Sequence, residues 1–427
     1  MRRVASPTRR GAFAAGPARY NGTGTGTVRS ADDNLQDHFV QINELRSDGQ
    51  LHQVARKCDF GARIRSAAVL GDPLEHGLDD ETSDAIVKAE DSDTAMPDAS
   101  ESPACAREGL LPPKLLVLAL DTGDIVFLFL KKSRHSTLEF VVSKYKTPRK
   151  ISFLGFHLAV DPSSRYMAAS SPDGILVMYE INDMSTLNAQ YKSTGSFAPV
   201  KSVRLRAIHG VVHKLEFLYP RLADDYHIIL ILIVIREDRR HAEPVTRMVT
   251  YEWEVGDSLK EVFAEEKMGN RLPKEHKMPL LLIPLRFNNA FFTVSSKFVG
   301  IVKDCLSGAP VFESLRTDPP SRTDLHQGSA APLWTAWSRP FRRRGYFERT
   351  DIIYLAREDG AIIHIEIEAN DLVPSVTNVG CLNSNINTAF ATAYDVFSDI
   401  LIIGGDSGPG GVWKVCVSRV SSLQECC

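Results

Sequence analysis

The sequence lacks a long apolar segment, a strong net charge and a regular cysteine pattern. Its longest uninterrupted apolar run covers only residues 228–235, far short of the ~20 residues that span a bilayer. A formal net charge of −3 gives no overall field that would attract nucleic acid or an anionic membrane. Seven cysteines without any C-x-x-C spacing favour a reducing compartment over a disulfide framework. The sequence therefore predicts a protein of the nucleus or cytosol without transmembrane helices.

The amino-terminal quarter of the chain changes composition twice. Residues 1–30 hold six arginines and no acidic residue, whereas residues 72–108 hold twelve Asp or Glu against one Lys and one Arg. Stretches so poor in apolar side chains cannot offset the entropy of ordering their backbone. We predict a disordered basic tail at 1–34 and a disordered acidic insertion at about 72–110. A mitochondrial transit peptide is also rich in Arg and poor in acid, but Gly, Pro and Thr here interrupt any amphipathic helix.

Short apolar strands in pairs, most of them turning at Asp and Gly, are the dominant pattern in the rest of the chain. Glycine supplies positive φ at no steric cost, so such a turn reverses the chain within a few residues. Four strong pairs and three weaker ones predict hairpins at 39–45/50–57, 115–120/125–130, 166–170/175–181, 227–234/245–255, 280–285/291–294, 352–356/361–367 and 400–403/412–415.

The spacing of these hairpins indicates repeated units. Where no polar insertion intervenes, successive turns are separated by the ~40 to 50 residues of a four-stranded propeller blade. No Trp-Asp dipeptide closes a repeat, so the units differ from WD40 repeats. We predict an all-β fold, a seven-bladed β-propeller over residues 35–415, with little helix and an irregular tail at 416–427. A β-sandwich is the alternative, but seven hairpins exceed what one sandwich usually holds.

Several of these strands carry a family resemblance. The segment 277–285, Lys-Met-Pro-Leu-Leu-Leu-Ile-Pro-Leu, is followed by the apolar strand 291–294. Together they resemble the amino-terminal propeller of the family of damage-specific DNA-binding protein 1, the large subunit of cleavage and polyadenylation specificity factor and the third subunit of splicing factor 3b. Residues 248–253, 351–360 and 402–407 are similar to the same propeller, in the same order. That domain is also named for methyl methanesulfonate sensitivity.

The resemblance implies a scaffold. We expect a noncatalytic nuclear propeller, without cofactor, that binds protein partners in DNA-repair-linked ubiquitin ligase or pre-mRNA processing complexes. Relatives continue into further propellers, so the chain is expected to be truncated relative to the family, and the cleft between the family's first and third propellers cannot be assigned here. One alternative is direct RNA or DNA binding as a subunit of a splicing or polyadenylation complex. The other is a propeller hydrolase.

Motifs that suggest enzymes or metal sites each have a plainer interpretation. The tetrapeptide Gly-Asp-Ser-Gly at 405–408 matches the surroundings of a protease nucleophile, but a turn explains it and no recognisable histidine context accompanies it. His209 and His213 have the spacing of a metal-binding helix, yet the intervening Gly-Val-Val favours strand or turn. His364 and Glu366 share one face of a predicted strand, as an exposed blade face would require. We predict no catalytic or metal-ligating residue.

Two basic stretches with interspersed aromatic residues are candidate binding surfaces. Cations contact phosphates and rings stack on bases, so the combination is typical of nucleic-acid surfaces, although it also suits an acidic protein partner. The stretch 334–349 supplies the predicted polyanion or partner surface: Arg339, Arg342, Arg343, Arg344 and Arg349. For the second stretch, 131–150, solvated charges around packed aromatic rings are the simpler explanation.

Overall fold

The fold is built from antiparallel sheets of four strands. The computed structural model describes residues 2–3, 10–12, 39–45, 51–71, 110–112, 114–132, 138–147, 151, 154–221, 224, 226–237, 243–296, 298–317, 332–340, 350–393, 399–405 and 410–415. Within these residues six sheets have four strands each. We number them blades 1 to 6 along the chain, and strands are labelled in chain order.

The first three blades use consecutive strands. Blade 1 contains β5 (Ile64–Leu70), β6 (Leu115–Leu120), β7 (Ile125–Lys132) and β8 (Leu138–Tyr145); blade 2 contains β9 (His157–Val160), β10 (Tyr166–Ser170), β11 (Ile175–Ile181) and β12 (Val200–Ala207); blade 3 contains β13 (Val211–Leu218), β14 (His227–Arg236), β15 (Val245–Glu254) and β16 (Asn270–Arg271).

The last blade takes its fourth strand from the start of the chain. Blade 4 contains β17 (Leu281–Pro284), β18 (Phe291–Val294), β19 (Val299–Lys303) and β20 (Val311–Leu315); blade 5 contains β21 (Trp334–Ser338), β22 (Thr350–Arg357), β23 (Ala361–Glu368) and β24 (Pro374–Cys381); blade 6 contains β25 (Ala389–Ala393), β26 (Asp399–Gly404), β27 (Gly411–Val415) and β1 (Arg2–Arg3).

A seventh sheet is smaller. Among the described residues it has three strands, β2 (Arg10–Ala12), β3 (Val40–Leu45) and β4 (Leu51–Lys57). The all-β propeller prediction is confirmed, but the number of seven blades is wrong, because the described residues form six complete blades. Each predicted hairpin marks one sheet but does not show that the sheet has four strands. The predicted hairpin β3–β4 forms, yet among the described residues only the short β2 joins it.

Two short strands lie in the stretch predicted to be a disordered tail. β1 pairs with β27, and β2 pairs with β3. The rest of residues 1–34 lies outside the described residues. The acidic insertion as far as residue 109 and the tail at 416–427 also lie outside them, so disorder there stays a prediction.

The first strand of each blade lies next to the axis. Contacts join these first strands in a row, β5 with β9, β9 with β13, β13 with β17, β17 with β21 and β21 with β25. Later strands of each blade lie further out, as in propellers with a central channel. The two faces of each sheet therefore point at the neighbouring blades.

The core consists of apolar layers between neighbouring blades. In β14 the even-numbered side chains from Ile228 to Val234 pack toward blade 2, while the odd-numbered ones from Ile229 to Ile233 pack toward blade 4. Alternate residues of a strand point to opposite faces of a sheet, so a strand between two blades has no solvated side. This explains why the predicted hairpins are apolar throughout and do not alternate with polar residues.

The two ends of the channel carry different connections. All first strands run in the same direction, so first-to-second and third-to-fourth connections emerge at one end. We call it the helix face because it carries α1 (Met184–Thr194) and α2 (Leu259–Val262). Second-to-third turns and the connections between blades emerge at the other end, the turn face. The turn glycines Gly123, Gly174 and Gly360 have φ of 83°, 80° and 92°, which confirms why glycine stands there.

Helix α1 was not predicted from the sequence, although its ends carry local signals. The Asp183 carboxylate accepts a hydrogen bond from the Thr186 backbone N–H at 2.8 Å, as at other helix N-caps. Gly195 ends the helix with φ of 69° and donates to the Tyr191 carbonyl oxygen, as a left-handed C-cap does. Leu187 and Tyr191 pack between blades 1 and 2. Within the described residues, no helix has the length and apolar character needed to cross a membrane.

Candidate binding surfaces

Arg339 follows β21 and lies at the helix-face end of the channel. Its Nε donates to Asp351 Oδ1 at 2.9 Å, and its Nη2 donates to Asp351 Oδ2 at 3.0 Å and to the Pro284 carbonyl oxygen. The guanidinium lies 5.1 Å from the Trp337 ring centroid and 5.8 Å from that of Tyr219. Arg339 thus connects blade 5 to blades 3 and 4.

The charge of Arg339 is used inside the protein. Burial by itself would lower the pKa of the guanidinium, but its interactions with Asp351, Tyr219 and Glu216 together outweigh burial and raise the pKa. Asp351 is fully buried and also accepts a hydrogen bond from the Arg286 backbone N–H at 3.1 Å. The sequence placed Arg339 on a partner surface; the structure places it in a buried ion pair, because its carboxylate partner stands at the start of the next strand.

Two aromatic residues of the same stretch are also internal. Trp334 and Trp337 lie in β21 and are buried in the core between blades 4 and 5. Buried rings are not available to stack on bases, so these two tryptophans do not support the nucleic-acid interpretation. Phe341, Tyr346 and Phe347 lie outside the described residues. The remaining predicted arginines belong to the connection between β21 and β22 and lie outside the described residues: Arg342, Arg343, Arg344 and Arg349.

The second basic stretch is partly neutralised by its own surroundings. Lys144 Nζ lies 2.9 Å from Asp124 Oδ2, and Lys131 Nζ lies 5.5 Å from the Tyr191 ring centroid. These contacts agree with the simpler explanation of that stretch.

Ionisable side chains that the sequence analysis did not single out lie on β9 and β13. Burial raises the pKa of Glu216 to about 8, although Arg339 and Lys214 oppose this effect. Burial lowers the pKa of Lys214 to about 8 and that of His157 to about 3. The sequence signal for Lys214 and Glu216 is the presence of charged residues within the otherwise apolar segment 211–218.

These groups do not form a nucleophilic triad. The Nε2–H of His213 donates to the Pro279 carbonyl oxygen at 2.9 Å, and the ring of His157 interacts with the backbone of Val212. Among the described residues, no hydroxyl or thiol is hydrogen-bonded to either histidine, whereas nucleophilic catalysis requires that contact. They are ionisable groups enclosed between the first strands of neighbouring blades.

The metal and protease motifs fall in ordinary structural positions. His209 precedes β13 and His213 lies within it, so the pair is not on a helix. His364 is buried, with its ring centroid 5.1 Å from that of Tyr354, so the expected exposed blade face is corrected to a packed one. Residues 406–408 lie outside the described residues. In the described part of the chain, no group of three or more His, Cys, Asp or Glu could hold a metal ion.

The turn-face mouth of the channel combines exposed apolar and basic side chains. Apolar side chains at the starts of four consecutive first strands are 36–48% exposed: Phe156, Val211, Met278 and Leu333. Further out on the same face, at the edge of blade 3 formed by β15 and β16, lies a recess of about 530 Å³. It is lined by Glu243, Arg271, Leu272, Pro273, Lys274 and Lys277, the last of which directly precedes Met278 in the chain. Sequence reasoning missed this surface, because its members are scattered along the chain and only the fold brings them together.

One family model matches the chain. It is described as the RSE1/DDB1/CPSF1 first beta-propeller and matches residues 35–425, a span that includes β3 to β27. No curated protein matches the chain.

Proposed function

The chain belongs to the RSE1/DDB1/CPSF1 first β-propeller family, and from this premise we propose that it is a noncatalytic nuclear scaffold. Its partners are proteins of DNA-repair-linked ubiquitin ligase or pre-mRNA processing complexes. The observation that supports this most strongly is the family match itself, which covers blades 1 to 5 and three of the four strands of blade 6. Function in a propeller is carried by connections on a rigid framework.

The described residues favour protein docking over nucleic-acid docking. The rings Trp334 and Trp337 are internal, and Arg339 is paired with Asp351. Three adjacent cations remain in the connection between β21 and β22: Arg342, Arg343 and Arg344. We propose that these three and Arg349 contact an acidic partner at the helix face, where β21 ends and β22 begins.

Affinity purification of the tagged full-length protein from its own cells, with mass spectrometry, tests the scaffold function. Cullin and repair proteins would support the ubiquitin ligase role, and splicing or polyadenylation subunits would support the RNA-processing role. Recovery of neither group would contradict the proposal. Nuclear localisation is tested by imaging the same tagged protein.

Charge reversal tests the arginine surface. We expect R342E/R343E/R344E to keep the fold, measured by circular dichroism, and to lose at least one co-purifying partner. The control R342K/R343K/R344K retains the charge and should retain the partners. A folded reversal variant that keeps every partner would contradict this surface. Loss of RNA or DNA retention instead of proteins would favour the nucleic-acid alternative.

A further inference from the structure

We propose that the turn-face mouth of the channel is a docking surface for an acidic peptide segment of a protein partner, which inserts bulky apolar side chains among its exposed ones. We call it the turn-face surface and define it by Phe156, Val211, Met278, Leu333 and the recess at 271–277. The proposal rests on the proposed scaffold function and adds a site and a partner chemistry.

The apolar members occupy equivalent positions in blades 2 to 5. Phe156 directly precedes β9, Val211 opens β13, Met278 lies just before β17, and Leu333 directly precedes β21. Single exposed apolar side chains are common on protein surfaces. Here four of them lie at or just before consecutive first strands that contact one another in turn, and several exposed apolar side chains at one end of a molecule are typical of an interaction site.

Contacts between blades bring together the strands that carry three of these positions. The rings of Phe156 and His157 are 4.8 Å apart, centroid to centroid. His157 in turn lies close enough to β13 for its pKa to be affected by Lys214. His213 donates to the Pro279 carbonyl oxygen at 2.9 Å, which places the residue after Met278 against the start of β13.

Met278 is presented to solvent by an uncommon backbone conformation. Its φ is 51°, in the left-handed region that costs a residue with a Cβ roughly 1–2 kcal/mol. Its side chain is nevertheless 48% exposed, so the strain is not offset by burial within this chain. Strained residues of this kind cluster at binding sites.

The recess of this surface is lined mainly by basic side chains. The exposed Glu275 lies between Lys274 and Lys277 in the chain, and the Glu358 carboxylate accepts a hydrogen bond from the Leu333 backbone N–H at 2.9 Å. No ion pair within the described residues includes Arg271, Lys274 or Lys277, and the side chain of Arg271 stands opposite that of Arg247 across the β15–β16 ladder. Like charges in opposite positions are destabilising, and only Glu243 among the lining residues of the recess is acidic. A carboxylate-rich ligand would relieve this repulsion.

A peptide fits this combination better than a nucleic acid. Three of the four exposed apolar side chains, Val211, Met278 and Leu333, are aliphatic, whereas nucleic-acid surfaces use aromatic rings to stack on bases. Aliphatic side chains instead bury Leu, Phe or Met side chains of a partner. An acidic peptide segment that contains such residues matches both the basic and the apolar side chains of the surface.

Fluorescence anisotropy with defined probes tests the proposal. The probes are a short synthetic peptide with Asp and Glu around a central Leu-Phe pair, the same peptide with Ser-Ser at the centre, and a single-stranded RNA of equal charge. We expect the folded protein to bind the Leu-Phe peptide at least roughly tenfold more tightly than the other two. We also expect R271E/K274E/K277E to weaken binding by a similar factor, more at about 0.05 M than at about 0.5 M salt.

Met278→Gly separates binding from folding. Glycine tolerates the left-handed conformation, so this variant should unfold at the same or a higher temperature and yet bind the peptide several-fold more weakly. Matched controls lie on the helix face: Val373→Ser removes an exposed apolar side chain, and K192E/K260E reverses two exposed lysines. Both controls should bind as the unmodified protein does. Absence of peptide binding, equal losses in the controls, or preference for the RNA would each overturn the proposal.

Co-purification distinguishes this surface from the scaffold function. If the unmodified tagged protein retains nuclear partners and R271E/K274E/K277E retains all of them, the turn-face surface is wrong and the scaffold function stands. If the unmodified protein retains none, the scaffold function is contradicted. Selective loss of a partner with an acidic segment would support both.

Discussion

The two ends of the channel use charged side chains in opposite ways. At the helix-face end, Arg339 is bound to the Asp351 carboxylate and to the Pro284 carbonyl oxygen. At the turn-face end, Arg271, Lys274 and Lys277 form no ion pair with any described residue, and apolar side chains lie exposed beside them. A charge that is paired in a buried site is costly to leave unpaired, whereas a charge left for solvent is available to a partner. Arg339, although it belongs to the arginine-rich stretch, is therefore not available to a partner.

Asp351→Asn should produce the largest loss of stability. The substitution leaves the Arg339 guanidinium enclosed beside a neutral amide, and breaking a buried ion pair costs about 3–5 kcal/mol. Urea unfolding followed by tryptophan fluorescence measures the free energy of unfolding. As a comparison, Lys201→Ala breaks the exposed pair with Glu180 and should cost at most about 1 kcal/mol. Equal losses in the two variants would contradict an internal role for Arg339.

Replacing both partners of the Arg339–Asp351 ion pair tests the role of charge at the helix-face end more strictly. In Arg339→Met combined with Asp351→Leu, no charge is left unpaired, so stability should recover most of what Asp351→Asn loses. A double variant as unstable as the single one would show that shape and hydrogen bonds to Pro284 matter more than charge.

His157 should make stability depend on pH at the turn-face end. Its pKa is lowered by burial from an ordinary value of 6.5 to about 3, so between these values the unfolded chain binds one more proton than the folded chain. Stability is therefore complete above 6.5 and falls as the pH drops toward 3, by about 1.4 kcal/mol per pH unit from this group. Urea unfolding at several pH values should show a shallower decline for His157→Leu than for the unmodified protein. Parallel declines would contradict this assignment.

Much of the fold could be predicted because its strongest signals are local. Tight turns at Asp and Gly and the apolar run 228–235 mark hairpins, and all seven predicted hairpins form. Innermost strands such as β9, of four residues, and outer strands such as β24, which is mostly solvated, carry no comparable pattern. Helix α1 could have been found from Asp183, Thr186 and Gly195, whose spacing matches a capped helix.

The candidate sites depended on contacts that sequence does not show. Arg339 has arginines as neighbours in the chain, but its partner Asp351 belongs to the next strand and Pro284 to another blade. Likewise Phe156 and Met278 approach one mouth only because successive blades repeat the same geometry. The sequence shows which residues are charged, but only the packing of the blades determines which of these charges are internal.

Two glycines, Gly174 and Gly195, allow the turns at the two faces to be compared. Gly174 lies at the turn face, where a Cβ would come within 2.5 Å of the Gly210 carbonyl oxygen, whereas a Cβ on Gly195 at the helix face would meet open space. Both have positive φ, so Gly195→Ala should cost about 1 kcal/mol from conformation alone. Gly174→Ala should cost at least about 2 kcal/mol, because a backbone carbonyl must also move. Thermal unfolding of both variants measures the difference in stability. Equal losses would mean that the backbone of the turn face moves away from the added Cβ at little cost.

Arg271→Glu should have the smallest effect and the opposite sign. Glutamate in β16 would face Arg247 in β15 and convert a cross-strand repulsion into an attraction, stabilising the protein by about 0.2–1 kcal/mol. Arg271→Gln removes the repulsion without adding an attraction, so its stability should lie between that of the unmodified protein and that of Arg271→Glu. The urea midpoint of each variant gives the change in stability, and the acidic peptide gives the change in binding. A gain in stability together with weaker peptide binding would show that Arg271 favours binding and destabilises the fold. A loss of stability would instead mean that Arg271 stabilises the fold, as Arg339 does.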